Sequence, residues 1–369
     1  MRRLTVVQVL PALEAGGVER STIEITQTLV REGHRAIVVS RGGRLLSNLE
    51  AIGGEHIALD IGRKSPWTFR HVPALRRLFA DVSADIVHAR SRLPAWLAWR
   101  ALQGMRSPRP HFVTTAHGLN SPSRYSAIMS RGERVICVSN VVRGYLLQHY
   151  LNTDPQCLRV IPRGIDPTRF PRVPLPDRAL RTRFSIDHPP LGGDGPLLLL
   201  PGRGTRLKGH ADALDLLGAL RAGGLDARLW MPGALDPERV DYIDELQARA
   251  RSMGVSDALA ITAPIEAIAD AYAASDLVLQ VSRKPEAFGR TVIEAIAVGR
   301  PVLGWAHGGV GELLAELQPE GAVMPFDMGQ LTARAQAMLA HPPMPAATMP
   351  YTLQAMQRAT MDVYRELSE

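Results

Sequence analysis

Cysteine is almost missing from this chain. Of 369 residues only Cys137 and Cys157 are cysteine, which excludes a disulfide framework and a cysteine-based zinc site and points to a reducing compartment. Aromatic residues make up only 5%. No apolar run approaches the roughly 18 residues that a membrane span needs. The opening segment, Met1 to Leu10, has two arginines and a short apolar stretch interrupted by Thr5 and Gln8, too short and too polar for a signal peptide. The expectation is a cytoplasmic protein, able to lie peripherally on the inner face of the cytoplasmic membrane. Lysine is scarce as well: Lys64, Lys208 and Lys284 are the only ones among 43 basic residues. What is abundant is apolar side chain, at 46%, together with 32 Gly and 28 Pro, which excludes intrinsic disorder and suits two domains.

Charge is unevenly placed. Between residues 61 and 131 twelve basic residues face only Asp81 and Asp85, a net of +10 in a chain of +7, so the remainder is net negative. That segment expects an anionic partner met on a single face. Arg70, Arg76, Arg77, Arg92, Arg100, Arg106 and Arg109 are interspersed with Trp67, Trp96 and Trp99, as would suit docking on anionic lipid head groups. The tryptophans equally suit a core, because Leu93 to Leu102 has helical apolar spacing. A nucleic-acid-binding protein would use the same segment, but no recognisable module accompanies it.

Strand-length apolar runs alternate with segments of helical period along the whole chain, which means βαβ units and parallel sheets. The pattern predicts an α/β fold of two doubly wound, Rossmann-like domains in tandem: residues 1–170, a proline-rich linker at 171–196, a second domain at 197–349 and a helix at 350–369. Eight prolines lie between Pro162 and Pro196. Predicted helices include Pro66 to Phe79, Pro237 to Met253 and Glu286 to Val298. In open α/β sheets ligands bind beyond the carboxyl ends of the strands, so two such domains face a cleft.

Three elements carry chemistry. Gly16-Gly17 ends the first strand and opens a helix, where free N–H groups meet a ligand or the chain merely turns tightly. No G-x-G-x-x-G is present, so a dinucleotide fingerprint is unsupported. The first strand of the second domain ends Pro201-Gly202-Arg203-Gly204-Thr205-Arg206-Leu207-Lys208-Gly209, placing Arg203 and Lys208 where a diphosphate would lie, unless both are simply solvated. The third element runs Lys284-Pro285-Glu286-Ala287-Phe288-Gly289 into an apolar helix containing Glu294. Eight residues separate the two glutamates, a little over two helical turns, so both would project to one side. Two carboxylates so placed can hold two sets of sugar hydroxyls, or one caps the helix and the other sits on the surface. His34 and His88 read as structural.

These residues resemble a known family. Gly16-Gly17, His117-Gly118, Val160-Ile161-Pro162-Arg163-Gly164-Ile165-Asp166, Gly202-Arg203 with Lys208-Gly209, the E-x7-E from Glu286 to Glu294, and Gly308-Gly309 occur in the order seen in retaining glycosyltransferases of family 4, with the GT-B fold. The resemblance implies a nucleotide-sugar donor, UDP- or GDP-linked, held mainly by the second domain, no metal or other cofactor, an acceptor on the first domain, and a C-terminal helix packing back on the first domain. Carried over, Arg203 and Lys208 neutralise the diphosphate and Glu286 holds hydroxyls of the transferred sugar. Phe288 and Gly289 offer backbone N–H groups, and Glu294 holds the ribose. His117 faces the sugar, and Gly16 and Gly17 admit acceptor and phosphate. The family's usual Asn-Gly is Arg163-Gly164 here, and Arg163 receives no ligand role. No protein nucleophile is evident, which suits a front-face mechanism in which the leaving phosphate helps deprotonate the acceptor. Bacterial relatives often build lipopolysaccharide or other envelope glycans, so a glycan or lipid-linked glycan acceptor is expected, with no nucleic acid. A catalytically silent nucleotide-sugar-binding protein would have the same features.

Overall fold

The strands of the first half are runs of Val, Ile and Ala, as in a sheet covered on both faces. In the computed structural model, which describes residues 2–14, 16–236, 239–346 and 348–369, they are β1 (Thr5–Val9), β2 (Arg35–Ser40), β3 (Glu55–Ala58), β4 (Ile86–Ala89), β5 (His111–Ala116), β6 (Arg134–Cys137) and β7 (Leu158–Val160). They form a seven-stranded sheet in the order β3-β2-β1-β4-β5-β6-β7. Its ladders are parallel, with Val7 opposite Ile37 on one side and Val87 on the other. The helices between them are α1 (Gly17–Arg31), α2 (Leu46–Ala51), α3 (Val72–Asp81), α4 (Arg92–Gln103) and α5 (Asn140–His149). Successive side chains of a strand point to opposite faces. Val7 and Val9 accordingly pack with Leu75, Phe79 and Leu97 of α3 and α4, whereas Val6 packs with Ile25 and Leu29 of α1.

The second half repeats the plan with α6 (Arg178–Asp187), β8 (Leu197–Leu199), α7 (His210–Ala222), β9 (Arg228–Pro232), α8 (Val240–Ser252), β10 (Leu259–Thr262), α9 (Ile268–Ala274), β11 (Leu277–Gln280), α10 (Arg290–Val298), β12 (Val302–Trp305), α11 (Gly308–Leu317), β13 (Ala322–Val323) and α12 (Met328–Ala340). Its six strands run β10-β9-β8-β11-β12-β13, again parallel. In both sheets the strand order reverses beside the first strand, between β1 and β4 and between β8 and β11. Ligands of doubly wound sheets collect at the carboxyl end of such a switch point.

The chain divides into Met1–Gly164 together with Leu353–Glu369, and Ile165–Thr352, against sequence boundaries of 170, 197 and 349. The last helix, α13 (Leu353–Ser368), belongs to the first unit. Its Met356, Met361, Val363 and Tyr364 join Val6, Ile25 and Leu29, and Gln357 donates to the Glu24 carbonyl at 2.8 Å. The 171–196 stretch, expected as a linker, is instead packed structure of the second unit. Its prolines bracket α6, whose N-cap Asp177 accepts from the Leu180 N–H. Buried Arg181 donates to the Leu191 and Gly195 carbonyls, so the prolines mark the ends of a helix. The helix expected over Pro66 to Phe79 divides into a 3-10 turn at Pro66–His71 and α3. The expected start of α8 at Pro237 lies outside the described residues.

Candidate functional site

In the second unit the switch point is built on glycines. The chain leaves β8 through Gly202 at φ +147° and enters α7 through Gly209 at φ +76°. A Cβ at Gly209 would lie 1.9 Å from the Val281 carbonyl oxygen. Only glycine lets the β8–α7 loop close against the exit of β11. The 3-10 turn Arg206–Lys208 then brings Lys208 Nζ to 2.6 Å from Glu286 Oε1. Ser282 Oγ donates to the same oxygen at 2.6 Å. Burial pushes the Glu286 carboxyl up, but the Lys208 ammonium and the hydrogen bonds from Lys208 and Ser282 outweigh it and hold the group below its ordinary range. The side chains keep 32% and 23% exposure, so the pair is within reach of a ligand. Sequence reasoning placed these two residues on different parts of a ligand; the structure pairs them with each other.

Glu286 does not belong to a helix. Helix α10 starts only at Arg290, because its N-cap Gly289 is left-handed at φ +103°. The eight-residue spacing is therefore a loop followed by a helical turn and not two turns of helix. The loop is seated from behind by Gly308-Gly309, which opens α11. Gly309 N–H donates to the Glu286 carbonyl at 2.7 Å, and a Cβ at Gly309 would fall 2.5 Å from Phe288 Cα. Phe288 is 6% exposed and packs edge-on to Tyr351, which anchors the loop's backbone. Half-buried Glu294 accepts from the hydroxyl of buried Tyr272 at 3.0 Å, a partner that sequence reasoning missed. Arg203 is exposed on the β8–α7 loop.

In the first unit Gly16 is extended and caps α1 without a side-chain bond, and a Cβ at Gly17 would meet nothing within 4 Å. The pair is thus not demanded by a left-handed turn; a Cβ at Gly16 would fall 2.5 Å from Glu19 Oε2, so the Glu19 carboxylate lies over the start of α1. His117 follows β5. Its Nδ1 lies against the Arg163 guanidinium, and its Nε2 is buried without a hydrogen-bond partner among the described residues. Burial first, then the charges of Arg163, Arg90 and His88, hold the imidazole well below its ordinary range, so it is neutral. Arg163 is 8% exposed and donates to Ser21 Oγ at 2.6 Å. The one sequence signal for it was the arginine standing where the family's asparagine is usual. His88 sits between the Tyr364 and Thr115 hydroxyls, and His34 accepts from the Leu4 N–H; both are structural.

The basic segment is a surface with two corrections: Arg92 is half-buried and donates to Ser126 Oγ at 3.1 Å, and Arg90 lies inside the fold. Arg90 is 3% exposed: its Nε donates to Gln8 Oε1 at 3.0 Å, and Gln8 in turn donates to Thr26 Oγ1. It cannot meet an anion outside the fold. Arg63, Arg70, Arg76, Arg77, Arg100, Arg106, Arg109, Arg124 and Arg131 are exposed, as is Trp67 at 76%. Trp96 and Trp99 are half-buried, edge to face, with Arg131 over both rings. Among the described residues there is no group of three or more His, Cys, Asp or Glu that could hold a metal ion. No helix among the described residues is long and apolar enough to cross a membrane.

Two doubly wound sheets, one with a cation and a carboxylate at its switch point, define a class of α/β protein with a polar, charge-balanced ligand site. Residues 15–169 match the family model for Glycosyltransferase Family 4, and residues 183–352 match that for Glycosyl transferases group 1. The structure of a glycosyltransferase from Rickettsia africae ESF-5 is 26% identical, with a TM-score of 0.87 over 100% of this chain and 99% of that one. Anabaena Alr3699/HepE, solved with UDP and glucose, shares the fold at 18% identity and a TM-score of 0.75, over 99% of this chain and 97% of that one. Among curated relatives, mannosylfructose-phosphate synthase of Agrobacterium fabrum is 29% identical over 54% of this chain and 43% of its own length. D-inositol 3-phosphate glycosyltransferase of Xylanimonas cellulosilytica is 30% identical over 61% of this chain and 56% of its own. The chain thus spans about half the length of these curated relatives. The chain belongs to glycosyltransferase family 4 and has the GT-B fold of two Rossmann-like domains.

Proposed function

We propose that the protein transfers a sugar from a nucleotide-sugar donor to a hydroxyl group of a glycan or lipid-linked glycan, with retention of configuration. The observation that carries this reading is the Lys208–Glu286 pair at the β8/β11 switch point. An incoming diphosphate competes for the Lys208 ammonium, and the carboxylate so released accepts hydrogen bonds from hydroxyls of the transferred sugar. Donor binding thereby exchanges an internal ion pair for two ligand contacts. Breaking the bond from anomeric carbon to phosphate builds negative charge on the diphosphate. Lys208, Arg203 and the N–H groups at the start of α10 stabilise that charge without a metal, and more strongly in the transition state than in the bound donor. Backbone N–H groups of Phe288 and Gly289 line the same turn, and Glu294 holds the ribose hydroxyls. In the first unit Gly16 and Gly17 leave room for acceptor and phosphate, and His117 contacts a substrate hydroxyl. The leaving phosphate takes the acceptor's proton on the face it departs from, which retains the configuration.

The exposed arginines of 63–131 with Trp67 support an anionic acceptor presented at the inner face of a membrane, as in envelope glycan or lipopolysaccharide assembly. The test is a thermal-shift screen of UDP-, GDP- and ADP-sugars followed by turnover with the donor that binds. One base series should raise the melting temperature, and Lys208→Ala should abolish the rise. No response to any nucleotide sugar would overturn the reading. Binding without turnover on any glycan acceptor would leave a nucleotide-sugar-binding protein instead.

A further inference from the structure

We infer that Arg163 is a positioning residue: its hydrogen bond to His117 Nδ1 fixes the imidazole in the tautomer that carries hydrogen on Nε2, so His117 acts as a neutral hydrogen-bond donor and not as a base. This deepens the transfer reading and rests on it only for the identity of the oxygen that Nε2 meets.

A guanidinium only donates hydrogen bonds. The nitrogen it faces must therefore be the acceptor, and in a neutral ring the single hydrogen then belongs to the other nitrogen. That other nitrogen, Nε2, is buried with no partner among the described residues. A buried donor left unsatisfied is costly, and a ligand oxygen would satisfy it. Protonating the ring would require a hydrogen on Nδ1, pointed at a cation. The charged and titratable groups that bear on the ring are Arg163 from the loop after β7, and Arg90 and His88 from β4 and its carboxyl end; none is an acid that would stabilise an imidazolium.

Arg163 is itself held. Nη1 donates to Ser21 Oγ at 2.6 Å, and the same guanidinium nitrogen lies 3.9 Å from Met356 Sδ on α13. Ser21 also receives Arg90 Nη1 at 3.4 Å. The fork is thus fixed to α1 and α13 while one arm reaches the histidine. Such a ring cannot take a proton from an acceptor hydroxyl, which leaves that role to a group of the substrate.

The test is nitrogen NMR of the intact, histidine-labelled protein without substrate, from about pH 6 to about pH 8. The wild type should show His117 with hydrogen on Nε2, an unprotonated Nδ1 and no titration. Arg163→Lys should keep that tautomer and transfer within a few-fold, and Ser21→Ala should keep the tautomer. Arg163→Leu should give mixed tautomers or a titrating ring, with kcat lowered roughly 10- to 100-fold and donor KM little changed. Hydrogen on Nδ1 or titration near neutrality in the wild type, or an unaltered ring in Arg163→Leu, overturns the inference. If Arg163→Leu does not fold, the wild-type and Arg163→Lys spectra decide. The expected tautomer in a protein that turns over no nucleotide sugar would sink the transfer reading alone; a titrating ring in an active enzyme would sink this inference alone.

Discussion

Lys208 and Glu286 satisfy each other, and this sets what a substitution at Lys208 does. Lys208→Ala removes the ammonium paired with Glu286 and strands a largely buried carboxylate. Transfer should fall by about 100-fold or more. The pH consequence has a definite sign. In the wild type the Glu286 carboxyl lies below the ordinary value of 4.5. Its ionised form therefore stabilises the fold at pH above that value, and the contribution is lost as pH falls through the folded value. In Lys208→Ala the ammonium and its hydrogen bond are gone, so the carboxyl should titrate higher than in the wild type, and less stability should be lost through this group as pH falls. Carboxyl-carbon NMR of Glu286 with acid titration of both proteins checks it. Tyr272→Phe removes the hydroxyl that orients Glu294; nucleotide affinity should weaken roughly 2- to 10-fold, for about 0.5–1.5 kcal/mol. Unchanged calorimetric affinity would separate Glu294 from the nucleotide. At this scale Lys208, Glu286 and Glu294 were legible as candidates from spacing and the rarity of lysine. Their pairing was not, since only the adjacency of β8 and β11 brings residues so far apart in sequence together. Arg163 stood out only as a departure from the family's Asn-Gly; its contact with His117 was not legible, because the two are 46 residues apart in sequence.

Glycines do opposite things at the starts of two helices. Gly309→Ala would drive a methyl group against Phe288 Cα and displace the loop that carries Glu286. A stability loss of about 1–3 kcal/mol is expected, with nucleotide affinity falling at the same time. Gly17→Ala meets no neighbour and should leave the melting temperature nearly unchanged. Any fall in its transfer rate would then report a ligand at the start of α1. Urea unfolding and nucleotide titration of both variants make the comparison, and equal stability for the two would contradict the packing argument. The order of strands and helices was readable because parallel sheets need continuous apolar strands separated by amphipathic segments. Element edges were not. The helix read as starting at Glu286 starts at Arg290, since a left-handed Gly289 interrupts it, and the proline-rich stretch hides α6, whose cap Asp177 and buried Arg181 looked like ordinary loop polarity.

On the scale of the molecule, charge and chain path matter most. If the exposed arginines meet anionic lipid, changing Arg70, Arg76, Arg77 and Arg106 to Glu should weaken vesicle binding by orders of magnitude, at about 1 kcal/mol for each basic residue near the surface. Residual binding should respond less to salt, and transfer to a delipidated acceptor should change little. Equal vesicle sedimentation of wild type and variant at low salt would end the membrane reading and leave the family assignment intact. The path of the chain has a consequence for biosynthesis. Helix α13 completes the first unit but is made after the whole of the second. Domains fold as units while the ribosome delivers them, so the half translated first finishes last. Until α13 emerges, Val6, Ile25 and Leu29 lack their cover and the buried His88 lacks the Tyr364 hydroxyl. A nascent chain stalled near residue 352 would therefore present a finished second unit beside an uncapped first one, the form that chaperones and proteases would recognise.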